Sequence, residues 1–365
     1  MLILFLTTIS FLFIRLLVVF VNYLDDPTIP HNENSQSVLV SVLVPARNEA
    51  ERLPSLLKSL SRQNYKNIEI IVLDDNSDDA TAAVVKDFQR SDHRIKLING
   101  QPLPSDWLGK NYACHQLAKE AKGTYLMFLD ADVIVQPDFI LSSLNYLIEH
   151  KLSLLSVFND QKMKTLGENL LVPNMHYVLI TLLPMRFVKK FENPALAAAS
   201  GQCMFFNASD YNQHQWHSKV KDCVAEDIMI MRKVKEAGLL ADTKLAGEKI
   251  ICRMYSSYAE ALEGFSKNII AGFGNQFSLI LYIFVTILFW VPIMIFLPPL
   301  YTIVGFLLIA IMKTMISALS NQPIFKSLIL HPFQMLAFTH LSIKALIDAY
   351  RQTNIWKGRK INPGC

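Results

Sequence analysis

Charge is what this sequence has least of. Charged residues make up 18% of its 365 residues, below the roughly 25% of an ordinary soluble domain. Mean hydropathy is positive. The deficit lies at the two ends, which rules out a wholly soluble chain and predicts a membrane protein. The net charge is only +4. No basic stripe with interleaved aromatics occurs, so nucleic acid is not an expected partner. The five cysteines, Cys114, Cys203, Cys223, Cys252 and Cys365, are odd in number and widely spaced, with no CxxC pair. That argues against a disulfide framework and for reduced thiols in a cytosolic compartment. The final NPGC is no prenylation box. Internal repeats and low-complexity tracts are also lacking.

What is there divides the chain. Residues 1–24 are apolar enough to span a bilayer, without the basic start or cleavage site of a signal peptide. A retained anchor is expected. Arg15 inside it is costly there, and either faces a partner helix or snorkels to a phosphate. Residues 25–38 read as a polar linker with prolines. Residues 39–252 read as a soluble α/β domain. Residues 253–275 carry Tyr255, Tyr258, Leu262, Phe265, Ile269 and Phe273 on one helical stripe. That pattern suits an interfacial helix or a core helix, and its place before a membrane run favours the interface. Two further apolar runs, within 276–319, meet at a turn without charge. Residues 320–350 carry His340, Lys344 and Asp348 at helical spacing, which predicts an interfacial or re-entrant helix rather than a span. Residues 351–365 form a tail with Arg351, Lys357, Arg359 and Lys360. With Lys313 and Lys326 they are expected on the inner side of a cytoplasmic membrane.

Within 39–252, apolar strand-like runs (38–45, 67–75 and 125–133) alternate with segments of helical spacing. This rhythm predicts a doubly wound, mostly parallel sheet. Ligands in such sheets sit beyond the carboxyl ends of the strands. Asp74 and Asp75 stand at one such end, Asp130 and Asp132 at another. In an extended segment residues i and i+2 point the same way, so Asp130 and Asp132 can address one object. Oxygen-only ligands suit a hard cation, Mg²⁺ or Mn²⁺, that completes its shell with phosphate oxygens. Solvated loop acids or helix caps would produce the same letters.

Three more stretches frame that pair: "VPARNEAERL" (Val44–Leu53), "LDDNSDDAT" (Leu73–Thr81) and "VAEDIMIMRKV" (Val224–Val234). In this order they resemble the family 2 inverting glycosyltransferases of the GT-A fold. The resemblance implies a nucleotide-sugar donor and a divalent ion. It implies that Pro45, Asn48, Glu49, Asp74 and Asp75 border the base and ribose, and that Asp130 and Asp132 hold the metal on the diphosphate. Asp227 would be the general base, with Glu226 the alternative. Both acids would equally suit the first turn of a helix.

A Trp-Leu-Gly-Lys-Asn segment (107–111) and "WKGRK" (356–360) are similar to bacterial carotenoid- and hopanoid-associated members. That likeness implies a lipid acceptor and a role for Lys110 against the diphosphate. Trp107 either stacks on a ring or packs. Ser200–Phe206 matches the acceptor segment, or is an ordinary buried strand. The family's QxxRW motif is absent, which argues for a single transfer. His214 and His217 lack the further ligand a zinc site needs. The expected function is transfer of a hexose to a lipid hydroxyl, a carotenoid first. Other lipids (hopanoid, polyprenyl phosphate, diacylglycerol) and a non-catalytic scaffold are the competing readings.

Overall fold

The computed structural model describes residues 2–32, 34, 36–351, 355–356 and 359–360. They form two compact units. Among the described residues, one comprises residues 28–162 and 187–253, the other residues 2–27, 163–186 and 254–360. The stretch 39–252 is therefore not one contiguous unit, because 163–186 leaves it.

The α/β unit holds strands β1 (Val40–Ala46), β2 (Ile68–Asp74), β3 (Ile95–Asn99), β4 (Tyr125–Leu129), β5 (Val133–Val135), β6 (Leu154–Phe158), β7 (Asp160–Gln161), β8 (Cys203–Asn207), β9 (Ala241–Leu245) and β10 (Ile250–Cys252). Seven make one sheet in the order β3-β2-β1-β4-β8-β6-β9, and β5-β10-β7 make a smaller one. In the large sheet β8 runs antiparallel to both neighbours and the other pairs are parallel. The mostly parallel α/β expectation holds, with one reversed strand. Val42, Leu43 and Val44 are fully buried, as an interior strand of such a sheet requires. The helix Leu53–Ser61 buries Leu53, Leu56, Leu57 and Leu60, a spacing that puts all four on one face. Each stabilises the unit by roughly 1.5–3 kcal/mol. Because β1, β2 and β4 are parallel neighbours, Ala46, Asp74 and Leu129 end at one edge of the sheet. The linker is not free: Ile29 is buried and donates its N–H to Leu245 O at 3.1 Å.

In the helical unit, Ile3–Asp25, Gln276–Phe296 and Pro299–Leu319 are long and apolar enough to cross a membrane. The aromatic stripe of the helix Tyr258–Gly272 packs inward, against Leu171, Ala337, Phe338 and Leu341. The polar stripe of the helix Ile324–Arg351 also meets protein partners. Gln334 Nε2 donates to Asn169 O at 2.9 Å, His340 Nδ1 lies 2.9 Å from Tyr258 OH, and Lys344 Nζ lies 3.4 Å from Glu263. Neither stripe is a bare surface. Residues 355–356 and 359–360 pair as a short antiparallel ribbon. Lys357 and Cys365 fall outside the described residues.

Candidate active site

Two loops at the carboxyl edge are laced together. After β1 the backbone turns at Asn48, whose φ is +55°, a conformation Asn tolerates better than most residues. Asn48 donates its N–H to Ser77 Oγ at 2.9 Å, and its Oδ1 accepts from Asp78 N at 2.8 Å. Glu49 N–H donates to Thr81 Oγ1 at 2.9 Å. Asp75 N–H donates to Ala46 O at 2.8 Å, and its carboxylate lies 3.7 Å from Arg47. Asp74 is committed locally, accepting from Ser77 N at 3.2 Å. Pro45, Asn48, Glu49, Asp74 and Asp75 thus share one rim.

The two acids of the DxD follow β4 in a turn, not in an extended segment. Asp130 N–H donates to Gln202 O at 3.1 Å, which ties the turn to the chain entering β8. Asp132 Oδ1 is buried with no hydrogen-bond partner among the described residues. Burial, then the charges of Asp130 and Glu49, push the Asp132 carboxyl up to about 7, with Arg52 a partial offset. Like charges held together out of water repel unless a cation joins them. An orphaned buried carboxylate oxygen in an oxygen-only donor set fits a hard divalent ion. Among the described residues no three His, Cys, Asp or Glu side chains form a metal cage. The protein's share would be two carboxylates, the rest of the shell being left to water and phosphate.

Lys110, at the start of the helix Gly109–Glu120, joins these acids to the second pair. Its Nζ lies 2.9 Å from Asp130 Oδ1 and 3.1 Å from Glu226 Oε1, and donates to Gly201 O at 3.2 Å. Burial alone would lower its pKa, but Asp130 and Glu226 hold it well above the ordinary lysine value. Asp227 sits in the first turn of the helix Glu226–Glu236. Its Oδ2 accepts from Gly201 N at 2.7 Å and its Oδ1 from Ile228 N at 2.8 Å. Burial and then Glu226 push its carboxyl up to about 7. A β-carbon on residue 201 would lie 3.0 Å from both Glu226 Oε1 and Lys110 Nζ. Glycine is what lets the backbone approach this cluster.

Residues 41–215, which carry this rim, the DxD turn and Lys110, match glycosyl transferase family 2. That matched stretch is a glycosyl transferase family 2 segment. A 4,4'-diaponeurosporenoate glycosyltransferase of Staphylococcus haemolyticus is 29% identical over 245 residues, 66% of this chain and 63% of that protein. The chain thus spans less than two thirds of that relative. A GalNAc(5)-diNAcBac-PP-undecaprenol beta-1,3-glucosyltransferase of Campylobacter jejuni is 39% identical over 93 residues, 26% of this chain and 29% of that one. A mannosyltransferase from Pyrobaculum calidifontis, solved with GDP-Man and Mn²⁺, shares the fold. Its TM-score is 0.53 at 14% identity, covering 94% of this chain and 98% of that one. The family match ends before Glu226 and Asp227, which reach the site only through the fold.

Sequence reasoning missed Asn111. It is 1% exposed, and its Nδ2 donates to Val220 O at 2.8 Å, Cys223 O at 3.0 Å and Lys221 O at 3.3 Å. It pins the loop that delivers Glu226 and Asp227. Asn111→Ala removes these side-chain hydrogen bonds, although Val220 O still accepts from Cys223 N–H at 3.0 Å and Lys221 O from Leu108 N–H at 2.7 Å, and is expected to cost about 1–3 kcal/mol. A lower thermal unfolding midpoint, with turnover reduced more than donor affinity, checks this. Other residues stay apart from the acids. Trp107 packs on its own neighbours, its ring 5.3 Å from Tyr112 and 4.9 Å from His115. His214 stacks on Trp216 at 4.4 Å. His217 is buried 2.7 Å from Tyr211 OH. Burial, then Lys110 and His115, push its imidazole down to about 3, so it stays neutral. Of Ser200–Phe206, residues 203–206 are buried strand, while Gly201 touches the acids.

Proposed function

We propose that the chain is a membrane-anchored glycosyltransferase that moves a hexose from a nucleotide-diphosphate sugar to a hydroxyl of a lipid, with inversion. The observation that carries this is the concentration of acids around Glu49, Asp130 and Asp132, joined through Lys110 to Glu226 and, by way of Gly201, to Asp227. Pro45, Asn48, Glu49, Asp74 and Asp75 border the nucleoside, and Asp130 and Asp132 fit Mg²⁺ or Mn²⁺. When bound, the ion supplies positive charge against the diphosphate leaving group. Lys110 adds a fixed cation beside it, where charge grows in the transition state. Asp227 accepts the acceptor's O–H proton. The oxygen then bonds to the anomeric carbon as the carbon–oxygen bond to the diphosphate breaks, its electron pair leaving with the phosphate.

A carotenoid-class acceptor is supported by the diaponeurosporenoate glycosyltransferases of Staphylococcus haemolyticus and Staphylococcus aureus, at 29% and 25% identity. The undecaprenol-linked relative supports a polyprenyl-linked lipid as the second reading. Lipid extracts from a host with and without the gene separate the two. A glycosylated carotenoid that vanishes with the gene supports the first, and a changed polyprenyl-linked glycan the second.

Activity should follow the ionisation of Asp227. Its carboxyl is raised, and only the carboxylate accepts a proton. Turnover therefore climbs as pH rises through about 7 and levels off above it. A pH–rate profile with saturating donor checks this. A flat profile between pH 5 and 8 contradicts it.

The α/β unit is assigned to the cytosol, where nucleotide sugars are made, at the cytoplasmic membrane. The span Gln276–Phe296 then leaves the cytosol and Pro299–Leu319 returns. Lys313 is buried within the helical unit, so it carries no weight as a loop charge. Exposed Lys326 keeps its weight. In a cysteine-free background, Leu300→Cys should react with an impermeant thiol reagent from outside intact cells, and Lys326→Cys should not. The reverse labelling contradicts this orientation.

A further inference from the structure

Two buried basic side chains of the helical unit have no acidic partner among the described residues. Arg15 stands midway along the helix Leu2–Asp25, and Lys313 stands within Pro299–Leu319. They are 3% and 0% exposed. Both cations lie on one ring: Arg15 Cζ and Lys313 Nζ are each 4.9 Å from the centroid of Tyr177. Arg15 Nη2 donates to Thr181 Oγ1 and Tyr282 OH, both at 3.1 Å. Arg15 Nε and the Lys313 ammonium make no hydrogen bond among the described residues, nor do His331 Nδ1 and Thr8 Oγ1. A cavity lined by Thr8, Arg15, Tyr177, Thr286, Trp290 and His331 opens beside Arg15, and Lys313, which is not among its lining residues, reaches the same Tyr177 ring.

Aromatic faces attract cations but do not replace lost hydration. Removing two charges from water is costly unless opposite charge and hydrogen-bond acceptors meet them. Several donors without acceptors, in one place, call for an anion with several oxygen lone pairs. Both basic residues stand on helices long and apolar enough to cross a bilayer. An anion reaching them from the lipid phase needs an apolar carrier. We infer that the Arg15–Lys313 cluster binds the phosphate or carboxylate head of a membrane lipid. The head's oxygens would accept from Arg15 Nε and Lys313 Nζ. This site involves the helical unit alone and does not depend on the transfer reaction.

The test is thermal unfolding of the full chain, purified and delipidated in a neutral detergent. It compares two pairs of additives differing only in charge: phosphatidic acid against diacylglycerol, and oleate against oleyl alcohol. At least one acid is expected to raise Tm by several degrees while its neutral twin does not, as ligand binding to the folded state requires. Inorganic phosphate and acetate are expected to leave Tm unchanged. Arg15→Gln and Lys313→Met should lose the response, and Lys313→Arg should keep it. Equal responses within both pairs overturn the inference, and this wild-type comparison decides even if the variants do not fold. A rise with inorganic phosphate or acetate alone overturns the lipid origin. A folded Lys313→Met variant with an undiminished acid response overturns the assigned residues.

Discussion

In Asp132→Ala, divalent ions are expected no longer to strengthen donor binding. In the intact chain, Mn²⁺ is expected to tighten a nucleoside diphosphate by about 100-fold, in keeping with the several kcal/mol a metal contributes against phosphate charge. The variant should bind at the metal-free level with or without the ion. Calorimetry on both proteins checks this, and undiminished Mn²⁺-dependent affinity contradicts it. A second consequence follows from the raised Asp132 carboxyl. Its folded pKa lies above the ordinary 3.8, at about 7, so ionisation disfavours the folded state. That penalty is absent below the unfolded value and fully present above the folded one. Metal-free Asp132→Asn should therefore melt higher than the intact chain at pH 8, and the difference should shrink as pH falls towards 4. Added Mn²⁺ should reverse the order, because the carboxylate is then matched.

The second large effect concerns the base. Asp227→Asn keeps the shape of the side chain, and its Oδ atom can still accept from Gly201 N–H. Donor binding should stay near normal. Turnover should fall by about 10²–10⁴, as expected for loss of a general base. Glu226 is the alternative, but its Oε1 is already committed to Lys110 at 3.1 Å. Its loss would release Lys110 and disturb donor affinity as well as rate. Comparing Asp227→Asn with Glu226→Gln separates the roles. A fall in turnover alone in Glu226→Gln, with Asp227→Asn near normal, moves the base to Glu226.

The rim was legible because its signals are local. Apolar runs that stop at Ala46, Asp74 and Leu129 mark strand ends, and acids placed just beyond them share an edge once the strands are parallel. The turn at Asp130–Asp132 was mistaken for extended chain, because two aspartates around one alanine read the same in either geometry. Lys110 stood out by its glycine and its motif, yet its bridge between Asp130 and Glu226 joins residues far apart in the chain. Asn111 was invisible for the same reason: its partners are backbone carbonyls at 220–223, which carry no signature of their own. The excursion 163–186 was hidden by composition. Its apolar helices, Leu166–Leu171 and Pro173–Leu182, look alike whether they pack under a sheet or among other helices. Single charges such as Arg15 and Lys313 announce a cost, but not that both lie on the Tyr177 ring. The stripe from Tyr255 to Phe273 was expected at the membrane interface, but it packs against protein, including Ala337, Phe338 and Leu341 of the helix Ile324–Arg351, which the stripe alone does not reveal.

Hexosyl transfer to a lipid is tested by running the reaction itself. The purified full chain, with Mn²⁺ or Mg²⁺, is incubated with a panel of nucleotide sugars and a total lipid extract from its host. Mass spectrometry of the lipid phase should show one lipid class gaining a single hexose with one donor. That product should be absent with Asp227→Asn, and NMR should give its anomeric configuration as the opposite of the donor's. A folded chain that binds nucleoside diphosphate yet glycosylates no lipid with any donor, or a product that retains the donor's configuration, would contradict the account.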